Sequence, residues 1–344
     1  MQSSEAGDNP KATKEPRDSK FTQQNLAAWR PVFSPCWVTV LFFSVGLILI
    51  PVGIACLVAS HSVVEVSARY DNRVECSGGK DTNEEREKAV MQGDGLNCSV
   101  TVFVEKSMSS PVYLYYELEN FYQNHRRYVK SRSDEQLIGE NPSSSDLKDC
   151  EPRLKLNKSA IINPCGLTAW SLFNDTYDIS TVDPDTRSPL HRLDIKSDSI
   201  AWESDVDHKF ADYTPENFNT IESKRGGGEI QGSVRNDEHF IVWMRTAAMP
   251  RFRKLWGKID TNLPKGTMLK ISIQNRYNTY RFDGRKSVVL STTSWLGGKN
   301  DFLGIAYLTA GCVSVFCSLV FFLLHVQFPR KQGDDRFLSW TPLE

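Results

Sequence analysis

The 344 residues carry 41 Lys and Arg against 42 Asp and Glu, a formal net charge of -1 at neutral pH. That balance offers no basic excess to a phosphate backbone, so no nucleic-acid partner is expected. With 24% charged residues the composition is that of an ordinary soluble surface, here attached to two membrane helices.

Residues 1–20 are rich in Ser, Lys, Glu, Asp and Pro and hold no aromatic side chain; with nothing to bury they read as a disordered cytosolic tail. Residues 21–36 are apolar at Phe21, Leu26, Trp29, Val32 and Phe33. They fit either an interfacial lead-in with Trp29 at headgroup depth or a cytosolic docking segment for a partner. An uncharged run follows over 37–59, and a second occupies 302–326, with no Asp, Glu, Lys or Arg between Phe302 and Leu324. At about 1.5 Å per residue, each is long enough for a hydrocarbon core of about 30 Å. The first is preceded by a long hydrophilic stretch and is too long for the apolar part of a cleaved leader, so it reads as a signal anchor.

Lys11, Lys14, Arg17, Lys20 and Arg30 precede the first run, and Arg330, Lys331 and Arg336 follow the second. Positive flanks prefer the cytosol, so both termini should be cytosolic, with residues 327–344 as a tail. Residues 60–301 then form a lumenal or extracellular domain. The N-x-Ser/Thr sequons at Asn97, Asn157 and Asn174 all fall there and are candidate glycosylation sites. Of the eight cysteines, Cys36, Cys56, Cys312 and Cys317 are in or beside the membrane runs, which leaves Cys76, Cys98, Cys150 and Cys165 in the oxidising compartment. Four cysteines allow three pairings. Nearest-neighbour closure loses least chain entropy and favours Cys76 with Cys98 and Cys150 with Cys165.

Within this domain, 99–104, 112–116, 240–244, 268–274 and 286–290 read as strands, by alternation or by β-branched and aromatic content. Helical spacing is found at Phe121, His125, Tyr128 and Val129, and over 84–91. The expected fold is therefore a membrane α+β protein: two transmembrane helices flanking a large, mainly antiparallel two-layer β domain with short helices. Gly226–Gly228 reads as a loop tip, with no Lys-Ser/Thr after it to make a phosphate cradle. Asp205 and Asp207 read as a solvated pair, and the clusters Arg251, Arg253, Lys254, Lys258 and Arg126, Arg127, Lys130, Arg132 as solvated basic faces. No motif of a hydrolase, nucleotide-binding loop or metal centre is present, and neither a catalytic residue nor a cofactor is expected. Gly304, Gly311 and Ser318, spaced by seven, make a small-residue stripe that lets another helix approach closely.

Several ordered blocks are similar to the cell division control protein 50 family, and most of all to its plant branch, the ALA-interacting subunits. They are Phe21–Pro35 with Gln23, Gln24, Trp29 and Pro31; Tyr115–Tyr128 (YYELENFYQNHRRY); Pro164–Leu167 (PCGL); Phe173–Thr176 (FNDT); Glu238–Ala248 (EHFIVWMRTAA) with Phe252–Leu255 (FRKL); and Leu290–Thr292 leading to Leu296–Gly304 (LGGKNDFLG). Together they run from Phe21 to the second helix. The resemblance implies a non-catalytic β-subunit of a type-IV P-type ATPase, a phospholipid flippase, that caps the pump's lumenal loops and is needed for its folding, its exit from the endoplasmic reticulum and lipid translocation. It implies a heterodimer in contact with membrane lipids, in the endoplasmic reticulum, Golgi, endosome or plasma membrane. Phe21, Gln23, Gln24, Trp29 and Pro31, with the stripe Gly304, Gly311 and Ser318, are the expected partner-binding residues. Two other classes share this topology: a subunit of a two-helix ligand-gated channel, and a scavenger-type lipid receptor.

Overall fold

A computed structural model describes residues 19–28, 34–91, 95–156, 160–183, 186, 188–215, 217–218 and 227–329. The chain divides into two compact units, Met1–Val52 with Ala306–Glu344, and Gly53–Ile305.

Two helices dominate the first unit and cross its boundary: α1 (Pro35–Ser62) and, last in the chain, the helix over Asp301–Gln327. Both are long and apolar enough to span a bilayer. Inside lipid no water is available to backbone N–H and C=O groups, and a helix satisfies them all within its own segment. Both helices extend a few residues beyond their uncharged runs, at about 1.5 Å per residue, into headgroup territory.

The second unit contains, after α1, β1 (Glu65–Arg69), α2 (Asn83–Met91), β2 (Leu96–Phe103), β3 (Val112–Glu119), α3 (Arg126–Lys130), α4 (Asp134–Leu137), α5 (Leu167–Trp170), β4 (Thr176–Val182), β5 (Pro189–Leu193), α6 (Glu203–His208), α7 (Glu238–Met244), β6 (Phe252–Ile259), β7 (Met268–Asn275) and β8 (Arg285–Ser291); the C-terminal helix is α8. The strands form two four-stranded sheets, ordered β1-β8-β3-β6 and β2-β7-β4-β5. Every pairing is antiparallel. Strand side chains alternate between faces, and the inward set is apolar in both sheets: Val112, Leu114, Tyr116 and Leu118 on β3, Leu269, Ile271 and Ile273 on β7, Val100 and Val102 on β2, all buried in one core. Aromatic residues fill it, with Tyr116 stacked on Phe173 at 3.9 Å and Trp256 edge-on to Tyr177 at 5.2 Å.

Three local expectations are corrected. Residues 240–244 belong to α7, not to a strand: Asp237 caps the helix by accepting the Phe240 N–H at 2.9 Å. The buried Phe240, Ile241, Trp243 and Met244 then follow the i, i+3, i+4 spacing of a helical face. The helix expected around Phe121 is limited to α3; Phe121 itself lies outside it and packs edge-on against Tyr128 at 5.7 Å. Gly227 and Gly228 are buried rather than at a loop tip. A Cβ on Gly227 would lie 2.7 Å from the Leu172 N, so the glycine is required by close backbone approach. Gly226 lies outside the described residues.

Candidate partner-binding surfaces

Around Phe21 the chain makes a tight turn, with Gln23 N–H donating to Ser19 O at 2.9 Å and Asn25 N–H to Lys20 O at 2.7 Å. Gln24 adopts φ 55°. The turn leaves Phe21 76% exposed, with Gln23 and Gln24 also exposed. An aromatic ring held out by a hydrogen-bonded turn is a ready anchor for a partner. Trp29 and Pro31 lie outside the described residues.

The small-residue stripe of α8 is filled by the chain's own first helix. A Cβ on Gly311 would sit 2.8 Å from Ile50 Cγ1, and one on Gly46 would lie 3.0 Å from the Gly311 carbonyl oxygen and collide with Val315. Ser318 is buried and donates its hydroxyl to Thr39 O at 2.9 Å. Within the second unit, a Cβ on Gly304 would come 2.6 Å from Leu57 Cγ. The stripe thus serves contact between α1 and α8, in the way small residues let membrane helices meet backbone to backbone. The faces left outward are Val40, Leu47, Ile48 and Val58 on α1, and Phe302, Phe316, Leu319 and Phe322 on α8, each more than half exposed.

Where the helices join the β domain, four hydrogen bonds tie the ends together. Ser60 donates its hydroxyl to Asp301 at 2.5 Å and accepts the Asn300 N–H at 3.0 Å. Val64 N–H donates to Thr292 Oγ1 at 2.9 Å, and Thr292 N–H returns to Val64 O at 3.0 Å. This clamp continues the β1-β8 ladder, whose last pair is Glu65 with Ser291. Just beyond it, the turn bridging Ser294 and Gly297 holds Trp295 77% exposed.

The sandwich is joined through a buried polar network. The Lys286 side chain is fully enclosed and donates to Asp175 at 2.7 Å, to Tyr277 O at 2.6 Å and to Asn275. Asp175 also accepts Tyr70 OH at 2.6 Å and the N–H groups of Arg276 and Tyr277 at 2.6 and 2.7 Å. Burial pushes the Lys286 ammonium down, against the pull of Asp175, and pushes the Tyr70 hydroxyl well up. Asp175 is the middle residue of a sequon: Asn174 is half-buried with its Oδ1 enclosed, and Thr176 is exposed. Asn97 stands on the exposed face of edge strand β2, while Asn157 lies outside the described residues.

Cys76 is joined to Cys98, and Cys150 to Cys165. Each bridge is tied into the polar interior. Asn275 Nδ2 donates to Cys76 O at 2.7 Å, and Gln136 Oε1 accepts the Cys165 N–H at 2.8 Å.

The charged clusters have partners that sequence order hides. Arg253 pairs with Glu65 at 2.7 Å and with Glu117 at 2.5 Å, and Arg251 pairs with Glu117 at 2.9 Å, across β1, β3 and β6. Lys254 is buried, and its ammonium caps the end of α7 by donating to Val242 O at 2.8 Å, Trp243 O at 3.1 Å and Arg245 O. Asp205 is buried and held below the usual carboxylate range by hydrogen bonds from Arg245 and Lys209, and Asp207 pairs with Arg235 at 2.6 Å. They form separate ion pairs, not an acid/base dyad. Asp205 also lines a half-open cavity of about 500 Å³ with Arg132, Phe210, Ile241 and Met244. Among the described residues no group of three or more His, Cys, Asp or Glu side chains could hold a metal.

A family profile, the LEM3 (ligand-effect modulator 3) family / CDC50 family, matches residues 56–331. The chain is 46% identical to ALA-interacting subunit 3 of Arabidopsis thaliana, covering 96% of this chain and 92% of that protein. It is 37% identical to cell cycle control protein 50A of Bos taurus, over 93% and 92% of the two chains. To cell cycle control protein 50B of Homo sapiens it is 34% identical, over 93% and 96%.

Proposed function

The chain belongs to the LEM3/CDC50 family, and on that footing we propose that it is the non-catalytic β-subunit of a type-IV P-type ATPase, a phospholipid flippase. It forms a heterodimer with the pump and is required for the pump's folding, exit from the endoplasmic reticulum and phospholipid translocation. Both termini are cytosolic, and the β domain, glycosylated at Asn174 first, then at Asn157 and least readily at Asn97 beside Cys98, faces the lumen or cell exterior of the secretory pathway. The observation that carries the reading is near full-length similarity to a protein whose name states that it interacts with ALA. The architecture supports it. Two spans free of Asp, Glu, Lys and Arg between Trp37 and Ala59 and between Phe302 and Leu324 supply no charged groups to line a path for a charged headgroup.

The binding surfaces follow from what the chain leaves open. With Gly304, Gly311 and Ser318 occupied by α1, the pump meets the outward apolar faces of the two helices. The exposed Phe21 turn, with Gln23 and Gln24, engages its cytosolic side, together with Trp29 and Pro31. The test is uptake of a labelled phospholipid in cells lacking their own β-subunits, with a flippase expressed with and without this chain. Uptake should require both. Equal uptake without the chain, or uptake with the chain alone, overturns the proposal. Stoichiometry in detergent separates a channel subunit, which would assemble in three copies, and a lipid-binding assay on the chain alone separates a scavenger receptor, which would bind lipid unaided.

A further inference from the structure

The thiol of Cys36 lies 3.4 Å from Nε2 of His325. Cys36 is the second residue of α1, and His325 is two residues short of the end of α8. We propose that Cys36 is a site of S-acylation, its thiol taking a long-chain acyl group from an acyl thioester with His325 as the base. The proposal rests on the cytosolic placement of the termini argued above.

A thiol in contact with an imidazole is the nucleophile and base pair of acyl transfer. His325 Nδ1 is enclosed with no hydrogen-bond partner. No neighbouring group therefore fixes the ring tautomer, and Nε2 can be the unprotonated nitrogen that receives a proton. Position selects this cysteine from the four that are free. Cys36 is exposed and Cys56 is buried. Cys312 and Cys317 lie inside α8, about 22 and 15 Å from its C-terminal end at about 1.5 Å per residue. That is hydrocarbon depth, which the polar carrier of a thioester cannot reach. Helix α1, with 28 residues, is about 42 Å long at the same rise, so its first turn stands at the headgroups, where juxtamembrane cysteines are acylated.

The step balances without an oxidant or a reductant. His325 Nε2 takes the thiol proton, and the Cys36 sulfur attacks the thioester carbonyl carbon. The tetrahedral adduct collapses with cleavage of the carbon to carrier-sulfur bond, and the imidazolium returns the proton to the departing carrier thiolate. The products are acylated Cys36 and the free carrier thiol.

The test uses the full chain expressed in cells. Free thiols are blocked, thioesters are cleaved with neutral hydroxylamine, and the thiols released receive a mass tag. One tag is expected on the unaltered chain and on the double variant C312S/C317S, and none on C36S. Feeding a clickable fatty acid should show label incorporation lowered about tenfold or more in both H325A and H325Q, two variants whose shared loss is the base. A tag that persists in C36S, no hydroxylamine-released tag on the unaltered chain, or full incorporation in H325Q overturns the proposal. A membrane-impermeant maleimide keeps this outcome separate from a failure of the topology. Labelling of Cys36 in intact cells refutes the cytosolic termini, whereas labelling only after permeabilisation, without any acyl tag, refutes acylation alone.

Discussion

Asp175→Asn is the most informative single change in the β domain. The sequon keeps Asn174 and Thr176, and asparagine is allowed at its middle position, so glycosylation is not altered by the substitution itself. The carboxylate accepts four hydrogen bonds, from Arg276 and Tyr277 N–H on one oxygen and from Tyr70 OH and Lys286 on the other. Asparagine can keep the first pair through Oδ1, but its Nδ2 then points a donor at the Lys286 ammonium, which is left fully enclosed without its counter-ion. Stranding one member of a buried ion pair costs about 3–5 kcal/mol. For a domain of this size that corresponds to a fall in midpoint temperature of roughly 6–20 °C. Lys286→Met should cost less, about 1–3 kcal/mol, because Asp175 retains three hydrogen-bond donors, Tyr70 OH and the N–H groups of Arg276 and Tyr277. Urea titration of the full chain in detergent, followed by tryptophan fluorescence, measures both. A loss under about 1 kcal/mol in Asp175→Asn, or a Lys286→Met loss as large, would refute the assignment of the network.

Reducing the bridge between Cys150 and Cys165, which closes a loop of 15 residues, should cost about 3 kcal/mol in the chain-entropy model; Cys150→Ser/Cys165→Ser compared in the same titration checks it. Gly311→Leu places atoms where Ile50 stands 2.8 Å from the Cβ position and should cost about 1–3 kcal/mol by overpacking, read as lower thermal stability in detergent, whereas Val313→Leu on an exposed face should be neutral. Burial, with Arg245 nearby, holds Lys254 down to about 7, against an ordinary value of 10.5. Below pH 7 both the folded and unfolded chains carry the proton. Above it the unfolded chain binds more, so Lys254 makes stability rise between about pH 7 and 10.5, and urea midpoints of Lys254→Met should lack that rise. Glycosidase treatment should raise gel mobility, with Asn174→Gln removing one step; unchanged mobility of the triple variant with Asn97→Gln and Asn157→Gln would count against a lumenal domain.

The two spans and the alternating strands were legible because burial in each depends on neighbours along the chain. Uncharged runs stand out at helical length, and Met268 to Gln274 alternates with a period of two. Residues 240–244 misled because an aromatic and β-branched run fits a strand or a buried helix equally. The deciding residue is Asp237, whose side chain satisfies an N–H that only a helix end leaves free. Strands β1, β4, β5 and β6 are hard to read from the sequence, since Glu65 on β1, Asp178 on β4, Arg192 on β5 and Arg253 and Lys254 on β6 break their apolar pattern with charges. Arg253 finds its partners, Glu65 and Glu117, more than a hundred residues away. The buried network is hidden for the same reason: Asp175 and Lys286 look like any other surface charges until β4 and β8 bring them together.

The glycine stripe shows the limit of reading an interface from one helix. A row of Gly304, Gly311 and Ser318 states that a helix approaches closely, and says nothing of whose helix it is. Here Gly46, Ile50 and Thr39 on α1 supply the complement, so the chain closes that seam itself. Binding to a larger helical bundle then depends on Val40, Leu47 and Ile48 of α1 and on Phe316, Leu319 and Phe322 of α8. In lipid these apolar faces gain nothing from leaving water, so shape and van der Waals contact must decide the match to a partner. Large branched and aromatic side chains carry shape information that small residues cannot. Partner choice among related pumps should therefore follow substitutions on these outward faces, while changes at Gly304, Gly311 or Ser318 weaken the chain itself and reduce every partnership alike.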